Sequence, residues 1–226
     1  MRYFRRRYST PNPYAGAQAD PYSAAAADPA LAPAMLPARP APAARQASAA
    51  LRALGASFAV ADLETTGLST ASCEILEFAA VRVGTDGGIE REFSQVVRIQ
   101  RSVPPFIARL TGITQSEVDA SGIPMPEAFG AFLDFLADVP VFFHNASFDR
   151  RFLLAAAEQT GLPYANPTHC TLALARRAWP ELPSHKLGVL AQHLGVSAPT
   201  HRALADVRTT VAVALAARAR LGAIDT

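Results

Sequence analysis

The stretch FAVADLETTGL, residues 58–68, runs apolar for four residues and then sets Asp62 and Glu64 where the run gives way to a turn. A short apolar run bounded by Thr-Thr-Gly reads as a buried strand. Residues i and i+2 of a strand face the same side, so the two carboxylates stand side by side and each makes the other harder to ionise. Charges placed so close to an apolar core are costly unless something pairs with them or a metal binds them.

Downstream, EILEFAAVRVG (74–84) and IEREFSQVVRI (89–99) read as two further strands, joined by TDGG, a hairpin signal. With the first strand they make an antiparallel meander. RSVPPFIARLTGIT (101–114) follows as a connection. PEAFGAFLDFLADV (126–139) then has helical periodicity, PVFFH (140–144) is a short apolar strand, and ASFDRRFLLAAAEQTG (146–161) is a helix ended by Gly161. TLALARRAW (171–179), HKLGVLAQHLG (185–195) and HRALADVRTTVAVALAARARLG (201–222) read as helices, with PTHC (167–170) a candidate edge strand. The expected fold is α/β: a mixed five-stranded sheet, three antiparallel strands plus parallel ones, with helices on both faces.

The 226 residues suit one well-cored domain with an appendage. Residues 1–50 are rich in Ala and Pro, with prolines at 11, 13, 21, 29, 33, 37, 40 and 42 and few large aliphatics. Such a segment cannot offset the entropy of ordering, so 1–50 is expected to be a disordered tail and 51–226 the folded domain. Its cluster Arg2, Arg5, Arg6 and Arg7, interleaved with Tyr3, Phe4 and Tyr8, is either a solvated terminus or a contact for phosphates and bases. The net charge of +2 neither demands nor excludes a nucleic-acid partner. Two cysteines, Cys73 and Cys170, form no CxxC pattern, which points away from zinc and from a disulfide framework and makes a cytoplasmic location the default. No run of eighteen apolar residues is present, so no spanning helix and no membrane partner is expected.

Four acids stand out once the strands are laid down: Asp62, Glu64, Asp149 after the VFFH strand, and Asp206 near the start of the last helix. If the first and fourth strands are parallel neighbours, Asp149 lands beside Asp62 and Glu64 at the strand ends, where open α/β sheets place their sites. Plainer readings stand next to this one. A carboxylate in the first turn of a helix, as at Asp149, complements the macrodipole without chemistry. Asp206 lies opposite the stripe Leu204, Val207, Val211 and Leu215 and is compatible with an exposed position. His201 shares a site with Asp206 only if it precedes the helix on a loop. All-oxygen ligands select Mg²⁺ or Mn²⁺, and several carboxylates together can hold two ions about 3.5–4 Å apart, the arrangement that serves phosphoryl displacement. His201 would then be the general base for the attacking water.

DLETTGL (62–68), HNASFD (144–149) and HRALAD (201–206) resemble the three exonuclease motifs of the DEDDh group of DnaQ-like 3'-5' exonucleases, the family that includes the epsilon proofreading subunits of bacterial DNA polymerase III. The resemblance covers about residues 56–220, with LTGIT (110–114) and HKLGVLAQHLGV (185–196) also in family order. It implies a ribonuclease-H-like fold, two metal ions on Asp62, Glu64, Asp149 and Asp206, and water activation by His201. It further implies a pocket for the 3'-terminal nucleotide lined by Thr65, Thr66, Leu68, Asn145 and Phe148. The implied reaction is hydrolysis at single-stranded or frayed 3' ends, with release of nucleoside 5'-monophosphates, as in DNA repair and proofreading. ETTGL is closer to the DNA-proofreading branch than to the EMTGL of oligoribonucleases, so DNA is favoured over RNA. An exoribonuclease and a non-catalytic nucleic-acid-binding adaptor are the competing readings. The epsilon subunit carries a polymerase-docking tail after its catalytic domain, whereas this chain ends at Thr226, so stable polymerase association is not expected.

Overall fold

A computed structural model describes residues 42–224. Five strands, β1 (Phe58–Thr65), β2 (Ile75–Val83), β3 (Ile89–Val96), β4 (Val141–Phe143) and β5 (Thr168–Cys170), form one sheet in the order β3-β2-β1-β4-β5. β1 pairs antiparallel with β2, and β2 with β3, while β4 runs parallel to β1 and β5 parallel to β4. The expected mixed sheet is therefore present, with PTHC as its short edge. The TDGG hairpin turns as its composition demands: Gly87 takes φ +85°, and the Gly88 amide donates to Asp86 Oδ1 at 2.9 Å.

β1 is central and covered on both sides, which explains a run too apolar to alternate. Phe58 and Val60 point into one core and Ala59, Ala61 and Leu63 into the other. The first core lies under α1 (Pro42–Ala53), α6 (Thr171–Ala178), α7 (Leu187–Leu194) and α8 (Ala203–Ile224), through Leu54, Leu174, Leu190, Val207 and Val211. The second lies under α4 (Met125–Leu136) and α5 (Ser147–Thr160), where Phe129, Phe132, Phe152 and Leu153 pack on Phe78 and Phe143. Asp62 and Glu64 continue the register of Phe58 and Val60. They consequently end on the face that α8 covers.

Three expectations change. The boundary drawn at residue 50 falls inside α1, where Ala47 and Ala50, with Leu54 just beyond the helix, are buried in the first core. Alanine's helix propensity wins there because the prolines stop at Pro42, which takes the first helical position. Residues 1–41, with the arginine and aromatic cluster, lie outside the described residues. The connection 101–114 and the segment after it contain two seven-residue helices, α2 (Pro105–Thr111) and α3 (Gln115–Ser121), too short to show periodicity. They close a third core of Leu76, Val96, Val103, Ile113 and Val118. Finally, α8 is not a one-sided amphipathic helix. Asp206, Thr209 and Thr210 are buried along with Val207, Val213 and Ala214, so the stripe chosen on the helical wheel does not mark its only inner face. Among the described residues, no helix is long and apolar enough to cross a membrane.

Candidate active site

At the carboxyl end of β1 the strand alternation leaves Asp62 and Glu64 half-buried on one face. α8 crosses that face and brings Asp206 from its first turn, itself only 8% exposed. Ligand oxygens of Asp62, Glu64 and Asp206 all lie within 4.8 Å of one another. Asp149 arrives from the other direction. β4 runs parallel to β1, and the chain leaves it through Asn145, held at φ +74°, into α5, whose first turn carries Asp149. Asp149 stands outside the tight trio but next to it in electrostatic terms: burial, followed by the charge of Asp62, pushes its carboxyl well above the usual carboxylate range.

These carboxyls carry a deficit of positive charge. Burial, followed by the charges of Asp206 and Glu77, pushes Asp62 up to about 8. Burial, then Asp62, Asp206 and Glu77, pushes Glu64 up to about 9 against the opposing pull of Arg202. Asp206 is also raised by burial, although the Thr200 amide donates to its Oδ1 at 2.8 Å and His201 lies close enough to draw it down. Asp149 is 2% exposed, and its buried Oδ1 has no hydrogen-bond partner. An unsatisfied buried carboxyl oxygen beside three clustered carboxylates fits a hard divalent cation, and the all-oxygen donor set fits magnesium or manganese better than zinc.

His201 precedes α8 on a loop, as a shared site with Asp206 requires. It is exposed and takes φ +58°, a left-handed conformation uncommon outside glycine, although histidine adopts it more readily than most side chains. The remaining expected residues divide by role. Thr65 and Thr66 build the turn: Thr65 Oγ1 donates to the Gly67 carbonyl at 2.7 Å, and Thr66 Oγ1 accepts from the Glu74 amide at 2.8 Å. Leu68, at the tip of that turn, is 78% exposed. Asn145 is exposed at the head of α5, and Phe148 is half-buried against Phe152 with ring centroids 5.1 Å apart. A separate cleft of about 540 Å³ opens along Cys73, Glu74, Arg98, Arg101 and Phe152 and does not include the acids.

Sequence reasoning missed two residues of the site. Glu77, 1% exposed on β2, pairs directly opposite Glu64 and so shares its face. Arg202 approaches it at 3.8 Å. The signal for Glu77 was the same as for Asp62: a charge inside the apolar strand EILEFAAV. Reading it required the β1–β2 register.

An Aquifex aeolicus relative, the DNA polymerase III subunit epsilon, is 37% identical over 164 residues, which make up 71% of this chain and 79% of that protein. A PolC-type DNA polymerase III of Clostridium perfringens is 35% identical over 157 residues, 69% of this chain but 11% of that protein. A Mycobacterium tuberculosis protein named for joined exonuclease and endonuclease activities is 41% identical over 175 residues, 73% of this chain and 27% of that protein. This chain thus spans well under a third of two of these three relatives. Among solved structures, Escherichia coli exonuclease I in complex with a dA16 oligonucleotide superposes with a TM-score of 0.65 at 25% identity, over 75% of this chain and 42% of the other. The sheet and its helices are accordingly of the ribonuclease-H-like kind. The exonuclease family model RNase_T matches residues 59–214, from the start of β1 well into α8 and so across every acid described above, and on that extent the chain belongs to the RNase_T exonuclease family, the DnaQ-like grouping that its three motifs resemble.

Proposed function

We propose that this chain is a metal-dependent 3'-5' exonuclease that hydrolyses phosphodiester bonds at single-stranded or frayed 3' ends, DNA in preference to RNA, and releases nucleoside 5'-monophosphates. The observation that carries the reading is the meeting of Asp62 and Glu64 with the distant Asp206 within 4.8 Å, with the unpartnered Asp149 oxygen beside them. Support for DNA comes from relatives named as a DNA polymerase III subunit epsilon and a PolC-type DNA polymerase III, and from a fold neighbour solved with a DNA oligonucleotide.

In this reading Asp62, Glu64, Asp149 and Asp206 hold one or two Mg²⁺ or Mn²⁺ ions, which when bound supply the positive charge that stabilises the attacking and leaving oxygens of the displacement. His201 takes the proton from the attacking water, and its exposed position on the loop leaves it open to solvent and substrate. The phosphorus–oxygen bond to the penultimate nucleotide breaks, and its 3'-oxygen leaves and collects a proton from solvent. Leu68 and Phe148 offer apolar surface to the terminal base, while Asn145 and the Thr65–Thr66 turn present polar groups to its sugar. A pocket for one terminal nucleotide accounts for action from an end rather than within a strand.

A degradation ladder of end-labelled DNA and RNA with Mg²⁺, Mn²⁺ or EDTA tests all of this on one gel. Stepwise shortening from the 3' end of DNA, abolished by EDTA, is the expected result. Internal cleavage or metal-independent activity refutes the proposal, and faster shortening of RNA than of matched DNA reverses the substrate preference.

A further inference from the structure

His201 presents a mechanical problem. It is exposed, its backbone is held at φ +58°, and it belongs to the connection between α7 and α8 rather than to either helix. A base that must meet a water over the acids needs a fixed position, and an exposed loop does not provide one by packing.

Besides the Ser197 carbonyl, which accepts from Thr209 Oγ1 of α8 at 3.0 Å, two sets of contacts nearer His201 hold the loop. On one side the Thr200 amide donates to Asp206 Oδ1 at 2.8 Å, tying the loop to the acid cluster. On the other side stands Arg202, the residue after His201. Its Nη1 donates to both Glu117 carboxylate oxygens at 3.1 and 3.2 Å, and its Nη2 donates to Glu117 Oε1 at 3.1 Å. The same Nη2 lies 3.8 Å from Glu77 Oε1, and the Ala203 amide donates to Glu77 Oε2 at 3.4 Å.

Both anchors are rooted. Glu77 is buried in β2 directly opposite Glu64, and Ser94 Oγ donates to its Oε1 at 2.7 Å. Glu117 sits in the first turn of α3, which the buried Val118 fixes to the third core. Thr114 caps α3 by accepting from the Glu117 amide at 3.2 Å, and the spacing Thr114 to Glu117 is that of a capping box. In such a box the glutamate side chain turns back to the capping residue's own amide. Here its carboxylate engages Arg202 with both oxygens instead, the fork geometry in which arginine differs from lysine.

We infer that Glu117 and Arg202, braced by Glu77, form a clamp that sets the position of His201 over the acids, making all three positioning residues that act through His201. The kinetic half of this inference rests on the nuclease reading; the mechanical half does not.

Glu117→Ala is the decisive variant, because Glu117 is on the surface side of the clamp and its loss leaves the sheet intact. Hydrogen exchange in the metal-free protein is expected to quicken about tenfold for the amides of residues 196–198 and 200–202, the effect of losing one charge-assisted contact, with β1 and β2 unchanged. In end-labelled DNA degradation with Mg²⁺, kcat is expected to fall about tenfold while KM stays within about threefold. Arg202→Lys, which keeps the charge and loses the fork, should fall between wild type and Glu117→Ala in both readouts. Unchanged exchange over 196–202 overturns the clamp, as does an equal quickening throughout the sheet, which would mark a merely structural role. Quickened exchange with an unchanged kcat also overturns it as a positioning device. If wild-type protein shows no metal-stimulated cleavage, the nuclease reading fails, and the exchange comparison alone still decides whether the clamp exists.

Discussion

The acid half of the site and the histidine half are built differently. Asp62 and Glu64 extend a strand whose preceding residues are fully buried, and Asp149 opens a helix that leaves the neighbouring parallel strand. Their positions are set by the two cores on either side of the sheet. His201 has no core beneath it and depends on Asp206 behind it and on the Glu117–Arg202–Glu77 contacts ahead of it. The acids are mounted on the sheet and on helix starts packed against it, where burial raises the cost of their charge. The group that would meet water and a strand end in the proposed reaction, His201, is held at the edge by ion pairs. The two halves should therefore fail in different ways.

The largest expected effect is on the acid half. Asp62→Ala or Asp149→Ala is expected to lower exonuclease turnover by at least about a thousandfold, with circular dichroism and the melting temperature kept or improved, because a buried acid that its surroundings disfavour ionising has been removed. Retained Mg²⁺-dependent turnover in both variants would remove these acids from the chemistry. Next comes the histidine half. His201→Ala is expected to slow turnover about a hundredfold, within the range for a lost general base, with Mn²⁺ affinity by calorimetry little changed. A large loss of metal affinity in that variant would erase the distinction drawn between the two halves.

A third prediction concerns what the sheet itself rests on. Leu54, 1% exposed just after α1, is part of the core under β1, and its carbonyl accepts from Arg218 Nη1 of α8 at 2.6 Å. Leu54→Ala is expected to cost about 2–4 kcal/mol in urea denaturation while leaving kcat near that of the wild type. A cost below about 0.5 kcal/mol, the range of ordinary surface changes, would mean that Leu54 does not support the core under β1.

The smallest effect is one of pH and metal on stability. In the metal-free fold Asp62 and Glu64 are pushed up to about 8 and about 9, whereas in the unfolded chain they titrate at ordinary carboxylate values near 4. Between those limits the folded state keeps protons that the unfolded state has lost, so their contribution to stability falls as pH rises from about 4 to about 9. Salt-bridged carboxylates do the opposite. Melting temperatures in EDTA should decline across that window more steeply for wild type than for Asp62→Asn, and Mg²⁺ should flatten the wild-type decline. Parallel curves for the two proteins in EDTA would show that the acid cluster does not carry this strain.

The difference between the halves also separates what was legible early from what was not. The meander, the parallel fourth strand and the acids at the strand end could be read from local pattern, because a buried strand declares itself by an unbroken apolar run and a charge inside it has few innocent explanations. Helices α2 and α3 hid because seven residues hold barely two turns. α1 hid because alanine and proline signal helix and disorder at once, and burial of Ala47 and Ala50 decides between them.

Chain order alone thus supplied the residue types that the proposed chemistry would use: four acids and a histidine in three motifs, on elements whose ends face one way. It could not settle which charges are shared. That Glu77 stands opposite Glu64, that Arg202 reaches both Glu77 and Glu117, and that Asp206 is buried rather than exposed all follow from strand register and from how α8 and α3 pack on the sheet. Local patterns report the periodicity of one element, whereas the pairing of charges depends on distances between elements, and those exist only once the cores have closed.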